Sequence, residues 1–115
     1  MSESEPQNVE LNKSTVRGKS KAAFDRDEKA ARESDRNRQI GQRLETLRLA
    51  FGGETQKVWC EKNGIRQTAW NNWELGNRRI SVEEAEKLCQ RYGLTLDWIY
   101  LGRRDGLSAS AAKVL

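Results

Sequence analysis

The sequence predicts an all-α domain, and two observations carry that reading. Apolar residues recur at helical steps, most clearly at Ile40, Leu44, Leu47 and Phe51. The runs that carry them are also punctuated, with Ser or Thr at their starts and Gly at their ends. At 115 residues, 36% hydrophobic and 33% charged, the chain has material for one small core and for tails around it. The division expected is a flexible, mostly disordered tail over residues 1–34, a compact five-helix domain over 35–102, and a flexible tail over 103–115.

The first segment holds the sole Pro and many Ser, Lys, Arg and Glu residues but few large apolar side chains, so burial cannot offset the entropy of ordering it. Within it, Asp25 with Lys29 and Glu28 with Arg32 are spaced for i,i+4 ion pairs, which suits a transient helix over 22–33 or an extension of the first core helix. That core helix is expected over 35–51 and ends at Gly52-Gly53. Thr55 caps a second helix whose apolar content is Val58, Trp59 and Cys60. Asn63-Gly64 is the strong turn dipeptide in an otherwise helix-competent run, because Gly adopts the left-handed backbone without a Cβ clash. The chain therefore stops at Lys62 or Asn63 and restarts near Arg66. Leu75-Gly76 closes the third helix, and Asn77-Arg78-Arg79 forms a basic loop. Ser81 and Glu84 fit a capping box that starts a fourth helix, with Val82, Ala85, Leu88, Cys89 and Tyr92 facing inward. Gly93 ends it, and Thr95 caps a last helix through Leu101.

The segment QKVWCEKNGIRQTAWNNWEL, residues 56–75, thus reads as two short helices around a sharp turn. On the second, Ala69, Trp70 and Trp73 share one face, while Gln67, Thr68, Asn71, Asn72 and Leu75 fall on the other. One side packs, and the polar side is free to read base edges.

These residues resemble the Cro and phage-repressor type of helix-turn-helix proteins, the XRE family, over residues 36–102. The resemblance rests on Gln56, Cys60, Gly64, Trp70, Trp73, Glu74 and Gly76, and on the second half SVEEAEKLCQRYGLTLDWIYLG. The chain departs from the family pattern at Glu54, Cys60, Asn63 and Trp70. The resemblance implies a lambda-repressor-like domain that binds double-stranded DNA. It also implies that Arg48 and Glu74 form an ion pair tying the first helix to the end of the third.

The major groove admits one α-helix and shows a distinct donor and acceptor pattern for each base pair. Arg66 has the fork for guanine, Gln67 and Asn72 can pair with adenine, and Thr68 can bond a base or touch a thymine methyl, with Asn71 in reserve. The resemblance places Arg66, Gln67, Thr68 and Asn72 at base-contacting positions. Phosphate contacts are expected from Thr55 and Gln56 at a helix N-terminus and from Lys57, Asn77, Arg78 and Arg79. One reading helix spans too few base pairs for genomic specificity, so a homodimer is expected through the apolar last helix, at Leu96, Ile99 and Tyr100.

A formal charge of +4 permits a polyanionic partner. No apolar run approaches the roughly 18 residues a membrane span needs, and no secretory leader is recognisable, so the expected address is the cytoplasm, with the nucleoid. With no His and two Cys outside any CxxC pair, neither a metal nor another cofactor is expected, and Cys60 and Cys89 read as buried thiols. No catalytic constellation is present, and GGETQK lacks the spacing of a phosphate loop. The expected function is therefore a transcriptional repressor, prophage-like, acting by occlusion because the few residues after Gly102 leave no room for a sensing domain. The alternative is a DNA-binding antitoxin or protein-interaction module that captures a partner with residues 1–34. Within that segment, Lys13, Arg17, Lys19 and Lys21 could also form an arm on DNA.

Overall fold

The computed structural model describes residues 21–115, with side chains from residue 25 onward. Every regular element among them is a helix: α1 (Lys21–Ala50), α2 (Gln56–Asn63), α3 (Gln67–Leu75), α4 (Val82–Tyr92), α5 (Leu96–Leu101) and α6 (Ala109–Val114). The chain divides into two compact units between Glu33 and Ser34. In the first, residues 21–33 are helical as part of α1, which is the extension alternative for a stretch otherwise expected to be mostly disordered. Arg32 pairs with Glu28 at 3.3 Å there. Both side chains are exposed, and such a pair contributes only about 0.3–0.5 kcal/mol. Most of the proposed DNA-touching arm, at Lys13, Arg17 and Lys19, lies outside the described residues.

In the second unit the helices close around Ile40, Leu44 and Leu47 of α1, Trp59 and Cys60 of α2, and Trp70 and Trp73 of α3, all buried. Ile80, Leu88, Tyr92, Leu94, Trp98 and Ile99 complete the wall from the other side. The centre is aromatic. Trp59 stacks on Tyr92 at 5.1 Å and meets Trp70 at 5.6 Å, while Trp70 meets Trp73 edge-on at 5.8 Å. Each such pair adds about 0.5–1.5 kcal/mol beyond its buried area. Among the described residues one buried side-chain polar atom is left without a hydrogen bond, the indole nitrogen of Trp59.

Local chemistry sets the helix ends as the sequence suggests. The Thr55, Ser81 and Thr95 hydroxyls accept from the backbone N–H groups of Val58, Glu84 and Trp98. Glu84 itself pairs with Lys87 at 3.4 Å. Asn63, where the family pattern has an apolar residue, is accommodated by polar partners: its amide donates to the Trp59 carbonyl at 3.0 Å and its oxygen accepts from Tyr92 Oη at 2.8 Å.

Three expectations need correction. Val82 was placed inward but is 54% exposed, because it opens α4 at the rim. Ile99, assigned to a dimer seam, is wholly buried; its carbonyl also accepts from Arg43 Nε of α1 at 2.9 Å, which holds α5 against α1. The domain has a sixth helix where a loose tail was expected. Ser108 caps α6, its N–H donates to the Gly93 carbonyl at 2.9 Å, and Ala111 is fully buried with Leu107 and Leu115 packed at its edges. The apolar side chains of α6 are small, mostly alanine, so its docking has little signature in the sequence.

Candidate nucleic-acid interface

Placement of the third helix begins with a buried charge. Arg48 is 7% exposed, and its Nε donates to Glu74 Oε2 at 2.6 Å while Nη2 donates to Oε1 at 3.2 Å. The remaining donor, Nη1, reaches the carbonyls of Gly53 and Glu54 at 2.7 and 3.3 Å. Glu74 also accepts from Gln56 Nε2 at 3.0 Å and from the Trp70 indole N–H. This network joins α1, the loop before α2, the start of α2, and α3. The hydrogen bond that Arg48 donates to Glu74, aided by the carboxylate's charge, raises the Arg48 pKa against the opposing effect of burial, so the guanidinium stays charged. The expected Arg48–Glu74 ion pair is present.

Backbone contact fixes the same helix more tightly. A Cβ on Gly41 of α1 would come within 2.4 Å of the Trp73 and Glu74 carbonyl oxygens, so α1 and the end of α3 are in direct contact. Gly76, with φ of 80°, turns the chain out of α3, and a Cβ there would sit 2.8 Å from Arg38 Cγ. Only Gly satisfies both the left-handed backbone and the close approach.

Trp70 is 0% and Trp73 8% exposed, so the indole face of α3 lies inside the core. Gln67, Thr68 and Asn71 are consequently exposed, and Asn72 is half-buried. Arg66 precedes the helix at its N-cap in extended backbone, with no side-chain capping bond. A groove of about 440 Å³ brings Arg66, Thr68 and Asn72 together with Arg78 and Arg79 of the following loop, over a floor of Ala69 and Trp73. Three guanidinium groups and no carboxylate line it. Gln67 and Asn71 are outside this lining. Asn77 donates to Asn72 Oδ1 at 3.3 Å, which orients the Asn72 amide. Arg79 Nε donates to Asn37 Oδ1 of α1 at 2.9 Å.

The remaining candidates sit at the start of α2. The Thr55 hydroxyl is engaged in its own cap, the Gln56 side chain is turned to Glu74, and Lys57 is exposed. Two residues that position the groove, Gly41 and Asn37, were not singled out in the sequence. An isolated Gly inside the α1 pattern was the available signal for close helix packing, whereas Asn37 carries none.

Cys60 is buried as expected, whereas Cys89 is only half-buried; burial is the main cause that raises the pKa of each thiol, which suits inert side chains. No helix among the described residues is long and apolar enough to cross a membrane. No group of three or more potential His, Cys, Asp or Glu ligands is assembled for a metal among the same residues. Comparison of the chain with models of known protein families, with curated proteins and with solved structures found no match.

Proposed function

We propose that the chain is a sequence-specific, double-stranded DNA-binding regulator of the Cro and phage-repressor kind, in which α2 and α3 form a helix-turn-helix and α3 enters the major groove. The observation that carries this reading is the two-sidedness of α3. Its tryptophans are buried, while the opposite side contributes to an arginine-rich groove free of carboxylates. Fixed amide, hydroxyl and guanidinium donors on a rigid helix match the pattern of base edges, and the flanking cations match phosphate.

Arg66, Thr68 and Asn72, with Gln67 and Asn71 on the same exposed helix, are the base readers. Lys57, Asn77, Arg78 and Arg79, with the N-terminal backbone of α2 at Thr55 and Gln56, clamp the backbone. The task is binding rather than catalysis, and repression follows from occlusion of promoter DNA. A chromosomal target places the protein in the cytoplasm with the nucleoid. Two copies act together, and with Ile99 buried the pairing surface moves to the exposed end of α5, at Leu101, 60% exposed, beside the half-buried Tyr100.

Selection of genomic fragments by the purified protein identifies the target. On the selected duplex, Arg66→Ala loses discrimination at one half-site position by about 1–3 kcal/mol, and Arg79→Ala weakens all sequences alike while reducing the salt slope by about one. Indistinguishable behaviour of the two variants contradicts this division of labour, and recovery of no enriched fragment contradicts the function.

A further inference from the structure

We infer that Asn37 is a positioning residue for phosphate binding: it holds Arg79 so that the outer edge of its guanidinium faces the DNA backbone. The inference rests on the DNA-binding reading above and adds to it a residue from α1, outside the α2–α3 unit.

Residues 37–41 of α1 form a seat for the segment that follows α3. Gly41 lies against the Trp73 and Glu74 carbonyls, and Arg38 lies against Gly76 through its own backbone and Cγ. Asn37, one residue before Arg38 and four before Gly41, falls on the same side of the helix. From there its side-chain oxygen accepts the Nε–H of Arg79 at 2.9 Å. The loop is held from the other side as well, since the backbone N–H groups of Asn77 and Arg78 both donate to the Asn72 carbonyl, at 2.9 and 3.3 Å.

The chemistry of the guanidinium gives this contact its meaning. It is a planar group with five donors, of which Nε carries one and the two terminal nitrogens carry four. A bond at Nε fixes the plane and leaves both terminal nitrogens free to engage phosphate oxygens. Arg79 makes no ion pair among the described residues, so its charge is not neutralised within the domain, and it lines the groove beside Arg66 and Asn72. The adjacent Arg38 is committed elsewhere, to Asp35 and Ser34 on its own helix. An amide acceptor suits this site better than a carboxylate would. It orients the arginine without cancelling the charge that DNA must meet.

The test uses the full chain and a fluorescein-labelled, mixed-sequence DNA duplex, with affinity measured over a series of salt concentrations for wild type, Asn37→Ala, Arg79→Ala and the double variant. Loss of one orienting hydrogen bond predicts that Asn37→Ala weakens binding about two- to tenfold. Its salt slope moves toward that of Arg79→Ala, and the double variant matches Arg79→Ala alone. In the DNA-free protein, the Arg79 Nε–H resonance exchanges slowly with water in wild type and quickly in Asn37→Ala, at unchanged thermal stability. Additive losses in the double variant, or wild-type affinity and salt slope in Asn37→Ala, overturn the inference while leaving DNA binding intact. An unchanged Arg79 Nε–H exchange rate also overturns it. Failure of the wild-type protein to bind duplex DNA removes the parent reading and this one together.

Discussion

Glu74 shows how much one side chain can organise. It is 8% exposed at its side chain and receives bonds from Arg48, Gln56 and Trp70, so its removal strands a buried guanidinium as well as an amide and an indole N–H. Breaking one partner of a buried ion pair costs about 3–5 kcal/mol, far more than any exposed pair contributes here. Glu74→Leu is therefore expected to lower the unfolding free energy by about that amount in urea denaturation, whereas Arg48→Met combined with Glu74→Leu recovers most of the loss. If the double variant were as unstable as the single one, the network would owe its effect to packing rather than to charge. The pair was anticipated from the resemblance of residues 36–102 to phage repressors. The participation of Gln56 was not, because that residue was assigned to phosphate and only the approach of α2 to α3 turns its amide inward.

At the scale of the elements, the decisive contact is between α1 and the end of α3. Alanine is ordinarily better than glycine in a helix by about 1 kcal/mol, and on that ground Gly41→Ala would stabilise α1. The added Cβ, however, would lie 2.4 Å from two backbone carbonyl oxygens, which cannot rotate away as a flexible side chain can. Steric conflict wins, and the expected result is a net destabilisation of about 1–3 kcal/mol together, under the proposed function, with weaker DNA binding as α3 is pushed outward. A Gly41→Ala protein with a raised melting temperature would show that the two helices are farther apart than this geometry requires. Helix boundaries themselves were readable, since Thr55, Ser81 and Thr95 cap where their side chains suggest. Local hydrogen bonds of that kind need only neighbouring residues.

For the whole molecule, the question is how one small domain reaches useful specificity. Under the proposed DNA-reading function, two copies related by a two-fold axis would double the number of bases read, and the exposed apolar residues nearest the end of α5 are the surface proposed for pairing. Tyr100 is half-buried, its hydroxyl donates to the Ile80 carbonyl at 2.7 Å, and Leu101 beside it is left in solvent. Wild-type protein is expected to sediment as a dimer at micromolar concentration or on its operator, and Leu101→Asp as a monomer with an intact fold. A monomeric wild type that binds its operator with one copy would remove the pairing proposal. Two features of the whole were not legible beforehand. The burial of Ile99 depends on which side of a short helix, apolar but for Asp97, meets the core, and periodicity says little when apolar residues run almost all round. The docking of α6 depends on Ala111 fitting a space that the rest of the fold creates.

Sequence alone determined the helical character of the domain, the turn at Gly64, the inward tryptophans of α3 and the polar side opposite them. Each follows from local propensity or from the helical repeat, which are properties of a few consecutive residues. Only the tertiary structure decided that Asn37 holds Arg79, that Gln56 serves Glu74, that Gly41 is a contact point and that the chain closes with a sixth helix. Those depend on residues distant in the chain becoming neighbours, and no local pattern encodes the distance at which two packed helices come to rest.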